Sequence, residues 1–280
     1  MKDRPGIKGA VSIPLRTYIL TSAIFWTLTI AVLLMWNLER EDDQALDSAH
    51  IQARSSFDKD VLYRSWNAGH GGVYAPVSGD MQPNPYLDVP ERDIVTTSGQ
   101  QLTMINPAFM IRQVHELGQR DYGTRAHITS LNPIRPDNAP DPWERNALQA
   151  FERGDTESSS SEEINGMLYL RLMRPLITEK KCLKCHAAQG YEEGDIRGGI
   201  SNSVPMAPHL AIAQSHKMIM WRGFGLIWLL GIAGIVFAAF KLNHHIRERD
   251  MAQEAWRQAK KTAEDASRAK SEFLASMSHE

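Results

Sequence analysis

The sequence predicts a mixed α+β domain carried between two membrane-spanning helices, and three observations lead there. Two long blocks carry no charge, the segment between them mixes helix caps with strand-like runs, and the stretch after the second block has helical periodicity without proline or glycine. The first block, Thr17 to Trp36, is 20 residues long. At about 1.5 Å of helical rise per residue it spans about 30 Å, the thickness of a bilayer core. A cleaved signal peptide is the competing reading, set aside because the block is long and no small-x-small cleavage pair precedes the acidic stretch Glu39 to Asp47. The second block, Gly223 to Phe240, is flanked by Trp221 and Arg222 on one side and Lys241 on the other, as interfacial anchors should be. Within it Gly231, Gly234 and Ala238 offer small residues for helix pairing in a dimer.

Composition narrows the function classes. The 280 residues are 42% hydrophobic and 23% charged, which is too apolar for a disordered chain. With 31 Lys plus Arg against 33 Asp plus Glu, the net charge of -2 gives no polyelectrolyte footprint, so nucleic acid is not an expected partner. Two cysteines allow one feature and no disulfide scaffold.

Orientation follows from the positive-inside bias. Residues 1–16 hold Lys2, Arg4, Lys8 and Arg16 against Asp3, and the stretch after Phe240 holds Lys241, Arg247 and Arg249. Both termini are therefore expected in the cytoplasm. The layout is a cytoplasmic N-terminus (1–16), a first span (17–36), one extracytoplasmic domain (38–218), a second span (223–240) and a cytoplasmic tail (242–280).

In the outer domain, Leu46, Ala49, Ala53, Phe57 and Val61 recur at threes and fours, so a helix continues outward from the first span with one buried face. Asn106 and Pro107 open a second helix carrying Met110, Val114 and Leu117, with Gly118 as its stop. Asp141-Pro142-Trp143-Glu144 opens a third as a capping box, before Ala147, Leu148, Phe151 and a closing Gly154. Asp155 to Glu163 reads as a polar loop, and Met167–Met173 and Ile200–Met206 read as strands. Between the first helix and Gln100 only loops are expected. An antiparallel sheet decorated with helices fits this order.

The strongest local signal is Cys182-Leu183-Lys184-Cys185-His186, the C-x-x-C-H run that attaches c-type haem. The spacing has a chemical reason: two thiols three residues apart add to the two vinyl groups of one porphyrin, and the adjacent histidine supplies a proximal imidazole to the iron. The bland readings are a lone disulfide or a thioredoxin-like pair; a zinc site needs two further ligands of which the sequence gives no paired hint. Attachment of this kind occurs outside the cytoplasmic membrane, where the charge bias independently puts this segment. For the sixth iron ligand the choice is open among His50, His70, His115, His127, His209 and His216, and Met81, Met104, Met110, Met167, Met173 and Met206. His70 is preferred because Gly69, Gly71 and Gly72 flank it and let the backbone approach a flat ligand; the alternative is a turn histidine facing solvent. Arg64, Arg112, Arg125, Arg135 and Arg197 are candidates for the haem propionates.

In the tail, Ala252, Ala255, Ala259, Thr262, Ala266, Ala269, Phe273 and Ser276 form a narrow seam suited to a parallel homodimer. Its last residues, Lys270-Ser271-Glu272-Phe273-Leu274-Ala275-Ser276-Met277-Ser278-His279-Glu280, closely resemble the opening of the dimerisation helix of sensor histidine kinases. That resemblance implies His279 as phosphoacceptor and Glu280 as its acid/base partner, in a two-component system with a response regulator as partner. No phosphate-cradling glycine loop is visible, so ATP is expected only through a kinase domain that this sequence lacks, and the chain alone is expected to be inactive as an enzyme.

The outer domain resembles a family of periplasmic, PAS-like haem c sensor domains, often described as of unknown function. The likeness rests on RSWNAGHGGVYAP at Arg64 to Pro76, LTMINPAFMIRQV at Leu102 to Val114, HITSLNPIRPDNAPDPWE at His127 to Glu144, and the continuing CLKCHAAQGY and GDIRGGISNSVPM. It implies a PAS-like fold and covalent haem c. A cysteine outside the haem motif has been associated with axial ligation in a member of this family, whereas this chain has only Cys182 and Cys185. The expectation is a haem c sensor of redox state or a diatomic gas in a bacterial inner membrane, signalling across it to His279. The alternative is a membrane-anchored c-type cytochrome that relays electrons in the periplasm.

Overall fold

The structure, a computed structural model, describes residues 14–277, apart from the side chains of Lys184, Cys185 and 269–277. His279, Glu280 and the basic residues Lys2, Arg4 and Lys8 lie outside the described residues. The helices are α1 (Leu15–Gly69), α2 (Pro107–Tyr122), α3 (Pro142–Glu152), α4 (Leu183–His186) and α5 (Ala207–Met277); the strands are β1 (Val73–Pro76), β2 (Asp93–Val95), β3 (Gln101–Ile105), β4 (Arg125–Thr129), β5 (Ser158–Ile164), β6 (Met167–Ile177) and β7 (Ile196–Pro205). The chain divides into an outer unit, 39–216, and a second unit formed by the remainder.

The outer unit is built on two antiparallel sheets, β1-β3-β2 and β4-β7-β6-β5. In the larger sheet β6 is central, and side chains on alternate residues enter opposite cores. Leu170 and Leu172 pack with Val204 and Met206 against Ala49 and Ala53 of α1. Met173, on the other face, packs with Ala147, Leu148 and Phe151 of α3. Burial on both faces explains why Tyr169 through Met173 are all buried, although the sequence alternates. On α1 the buried face runs through Ala45, Ala49, Ala53 and Phe57, while Leu46 is exposed.

Both expected N-caps form. Asn106 Oδ1 accepts from Phe109 N, and Asp141 and Glu144 close a capping box. The helix stop at Gly118 is corrected: α2 runs on to Tyr122 and ends at Gly123, which takes the left-handed conformation (φ 69°). Gly118 instead answers a close approach, since a Cβ there would sit 3.0 Å from Thr124 Oγ1. The serine-rich polar loop is also corrected. Its residues Ser158 to Glu163 lie in β5, because β6 offers a full antiparallel partner, from Ser158 opposite Met173 to Ile164 opposite Met167. Strands β1 and β2 likewise occupy part of the stretch expected to be loops.

Glu144 ties these layers together from a fully buried position. It accepts from Ser201 Oγ at 2.5 Å, His127 Nδ1 at 2.9 Å and Asp141 N at 3.1 Å, with Arg171 Nη2 at 3.4 Å. His127 Nε2 faces the Asp137 carbonyl at 3.1 Å, so both ring nitrogens meet acceptors and the imidazolium suits the site. Burial opposes that charge, but the hydrogen bond and charge of Glu144 and the Asp137 carbonyl outweigh it, and the His127 pKa is raised above its ordinary 6.5. Between the unfolded and folded values the folded state binds more protons. The stabilisation from this group is thus complete below about pH 6.5 and is lost as pH rises through the folded value. Thermal melts at a series of pH values are expected to show that decline, and His127→Gln to flatten it.

In the second unit, α1 and α5 each contain a segment long and apolar enough to cross a membrane. Trp26 Nε1 donates to the Trp228 carbonyl at 3.2 Å, and Trp228 Nε1 donates to Thr27 Oγ1 at 3.0 Å. A Cβ on Gly231 would fall on the Trp26 indole ring. The close approach that Gly231 permits is therefore filled by a tryptophan of the same chain.

Candidate functional site

The C-x-x-C-H run folds as consecutive short helical turns. A 3₁₀ turn spans Lys180–Cys182, α4 spans Leu183–His186, and a second 3₁₀ turn spans Ala187–Gln189 before Gly190 reverses the chain. Cys182 is a free thiol whose Sγ accepts from Glu179 N at 3.4 Å, and Lys181 Nζ donates to Ser65 Oγ of α1 at 2.6 Å, tying the run to the outer part of α1.

Cys182 and His186 both line a cavity of about 680 Å³. That volume falls in the range of cofactor sites, about 300–1,000 Å³. Its body is apolar, with Phe57, Val61, Leu87, Ile128, Leu176 and Phe109 among the lining residues. Four of the five arginines proposed for propionates also line it: Arg64, Arg112, Arg135 and Arg197. Arg125 does not, and its guanidinium lies 5.8 Å from the Tyr169 ring centre.

Two of these arginines have donors in need of an acceptor. Arg64 Nη1 and Arg112 Nε are buried without a hydrogen-bond partner, and Glu116 Oε1 is 3.6 Å from the latter. Burial pushes the Arg64 guanidinium down to about 10, only partly offset by the Cys182 thiol and Asp60. An orphaned guanidinium N–H costs free energy until an anion reaches it. The cavity thus fits a guest with a large apolar body and anionic edges, which is the chemistry of a porphyrin with two propionates.

The surroundings of His186 favour the neutral imidazole. Burial first, then the cations of Arg197 and Arg64, hold its pKa below the ordinary value. Its Nδ1 lies 2.8 Å from Gln189 Oε1 and 3.1 Å from Arg197 Nε. Arg197 Nε–H points at this Nδ1 and Arg197 Nη2 donates to Gln189 Oε1 at 3.1 Å; the Nδ1–H tautomer, which leaves the Nε2 lone pair free for a metal, keeps the bond to Gln189 and gives up the one from Arg197 Nε. Arg197 is fixed from behind by Ser130 Oγ at 2.7 Å.

His70 is exposed and is not among the cavity's lining residues. Its Nδ1 lies 2.8 Å from the Trp66 carbonyl, and its ring packs on Trp66 with centroids 4.5 Å apart. The sequence reading did not anticipate the roles of Gln189 and Ser130, which show no motif. Gln189, three residues after His186 and just before Gly190, was findable only from the turn that brings it back.

Residues 42–205, more than half of the chain, match the profile of the Tll0287-like family, described as Tll0287. Among solved structures, the crystal structure of the cyanobacterial heme-protein Tll0287 matches at 12% identity with a TM-score of 0.36, covering 55% of this chain and 91% of that one. No curated protein matches the chain.

Proposed function

The chain belongs to the Tll0287-like family, and on that premise we propose that its outer domain is a PAS-like haem c sensor feeding a histidine kinase. The observation that carries the reading is the placement of Cys182 and His186 of the C-x-x-C-H run on the wall of an apolar cavity in which Arg64 Nη1 and Arg112 Nε lack acceptors. Cys182 and Cys185 would hold haem by thioether bonds, His186 would be the proximal ligand, and Arg64 and Arg112 would meet the propionates. When bound, haem supplies an iron that responds to redox state or to a diatomic gas. The chain's own part is to orient the imidazole through Gln189, keep it neutral, and exclude water with the apolar wall.

The two apolar helices support a bacterial inner-membrane anchor, with domain 38–218 in the periplasm and both termini in the cytoplasm. The signal would pass through 223–240 to the tail, a homodimer would form on its seam, and phosphoryl transfer from ATP bound by a kinase domain would reach His279, with Glu280 as acid/base partner, and then a response regulator. The test is the chain exported through a cytochrome c maturation system, with the pyridine haemochrome spectrum taken after denaturation, and phosphorylation of the kinase form assayed under oxidising and reducing conditions. Thioether-type haem with redox- or gas-dependent label on His279, lost in His279→Gln, is the expected result. Thioether haem with no effect of haem state on the label would instead favour the electron-relay reading.

A further inference from the structure

We infer that Met104 is the sixth ligand of the haem iron, an assignment that rests on the haem reading above and goes beyond it. A sixth ligand must reach the cavity, and its donor atom must be uncommitted. Among the described residues no histidine except His186 lines the cavity. His115 is held by Asp60, His127 by Glu144, His209 by Gln52, His216 by Glu41 and His70 by the Trp66 carbonyl, while His50, whose buried Nδ1 has no partner, is not on the cavity wall.

The six methionines of the outer domain separate cleanly. Met81 Sδ accepts from Gln113 and Met110 Sδ accepts from Asn67. Met167 is exposed on β6, and Met173 and Met206 are packed in the two cores of the large sheet. Met104 alone of the six lines the cavity, where it is buried. It sits on β3 opposite Tyr74 of β1, so two strands fix its backbone.

Gly72 explains how the thioether is accommodated. A Cβ at that position would stand 3.0 Å from Met104 Cγ and 3.1 Å from Met104 Sδ, and its φ of +105° is one that side chains rarely adopt. Of the glycines beside His70, Gly72 thus makes room for Met104, while Gly69 and Gly71 face open space. Thioether sulfur is a soft donor that binds haem iron opposite histidine and favours the reduced state. The ligand pair would then be His186 and Met104, with a raised potential suited to a redox signal and a labile sulfur that a gas can displace.

The experiment uses the full chain, exported through a cytochrome c maturation system and purified in detergent, with absorption, electron paramagnetic resonance and redox titration. The wild-type chain is expected to be low-spin in the ferric state, with the red-end sulfur-to-iron charge-transfer band. Met104→Leu, which keeps the volume, is expected to lose that band, become high-spin and fall in midpoint potential, while still showing thioether haem after denaturation. Met104→His is expected to restore a low-spin spectrum without the sulfur band. His70→Ala is expected to change none of these. A high-spin wild type, an unchanged Met104→Leu spectrum, or loss of the band in His70→Ala overturns the assignment with the haem reading intact. Absence of thioether haem in the wild type overturns the haem reading itself, and the ligand with it.

Discussion

Replacing both Cys182 and Cys185 by serine is expected to remove all covalent haem from the chain, read as complete loss of haem staining on a denaturing gel at unchanged protein level. A serine hydroxyl does not add to a porphyrin vinyl group, so no bond survives denaturation. Each single substitution is expected to keep one thioether and to shift the pyridine haemochrome band toward that of singly attached haem. Full-intensity staining in the double variant would sink the attachment reading. The free Sγ of Cys182 and its place on the cavity wall make the single Cys182 variant the informative one.

The second large effect is structural. Glu144→Ala is expected to cost about 3–5 kcal/mol, since it strips a buried carboxylate from partners that stay behind. Ser201 Oγ, His127 Nδ1 and the Asp141 N–H lose their acceptor at once, and Arg171 loses one of three nearby carboxylates. Against a domain stability of about 5–15 kcal/mol, that is enough to leave a large part of the outer unit open to protease. Glu144→Gln keeps an oxygen for Ser201 or the cap and is expected to cost about 1–3 kcal/mol. Denaturant unfolding followed by Trp143 fluorescence, with its indole 4.3 Å from the Arg171 guanidinium, measures both. Equal stability of the alanine variant and wild type would show that the network is dispensable.

Legibility of the fold in the sequence tracks how local each signal is. The capping box at Asp141 and the cap at Asn106 need only three or four neighbouring residues, and both were readable. The end of α2 was not, because Gly118 and Gly123 look alike in sequence and only the way the chain folds back after Gly123, bringing Thr124 onto Gly118, tells a packing glycine from a terminating one. Strand β5 was hidden for the same reason: a run of serines has no strand signal until β6 supplies hydrogen-bond partners. At the candidate site, the motif gave Cys182, Cys185 and His186, and charge chemistry gave a set of arginines. Sorting Arg64 and Arg112 from Arg125 required knowing which guanidinium faces the cavity and which lies over Tyr169.

The cavity wall carries five cationic side chains, Arg64, Arg112, Arg135, Arg197 and Lys181, against two carboxylates, Asp88 and Glu179. Like charges gathered around a low-dielectric space repel one another, and a dianionic guest cancels that repulsion. A chain that folds before its guest is attached therefore carries its own self-repulsion, and one that has received it does not. On the haem reading proposed above, unloaded copies are therefore expected to be the looser ones, read as faster protease cleavage of the Cys182, Cys185 double variant than of the loaded chain.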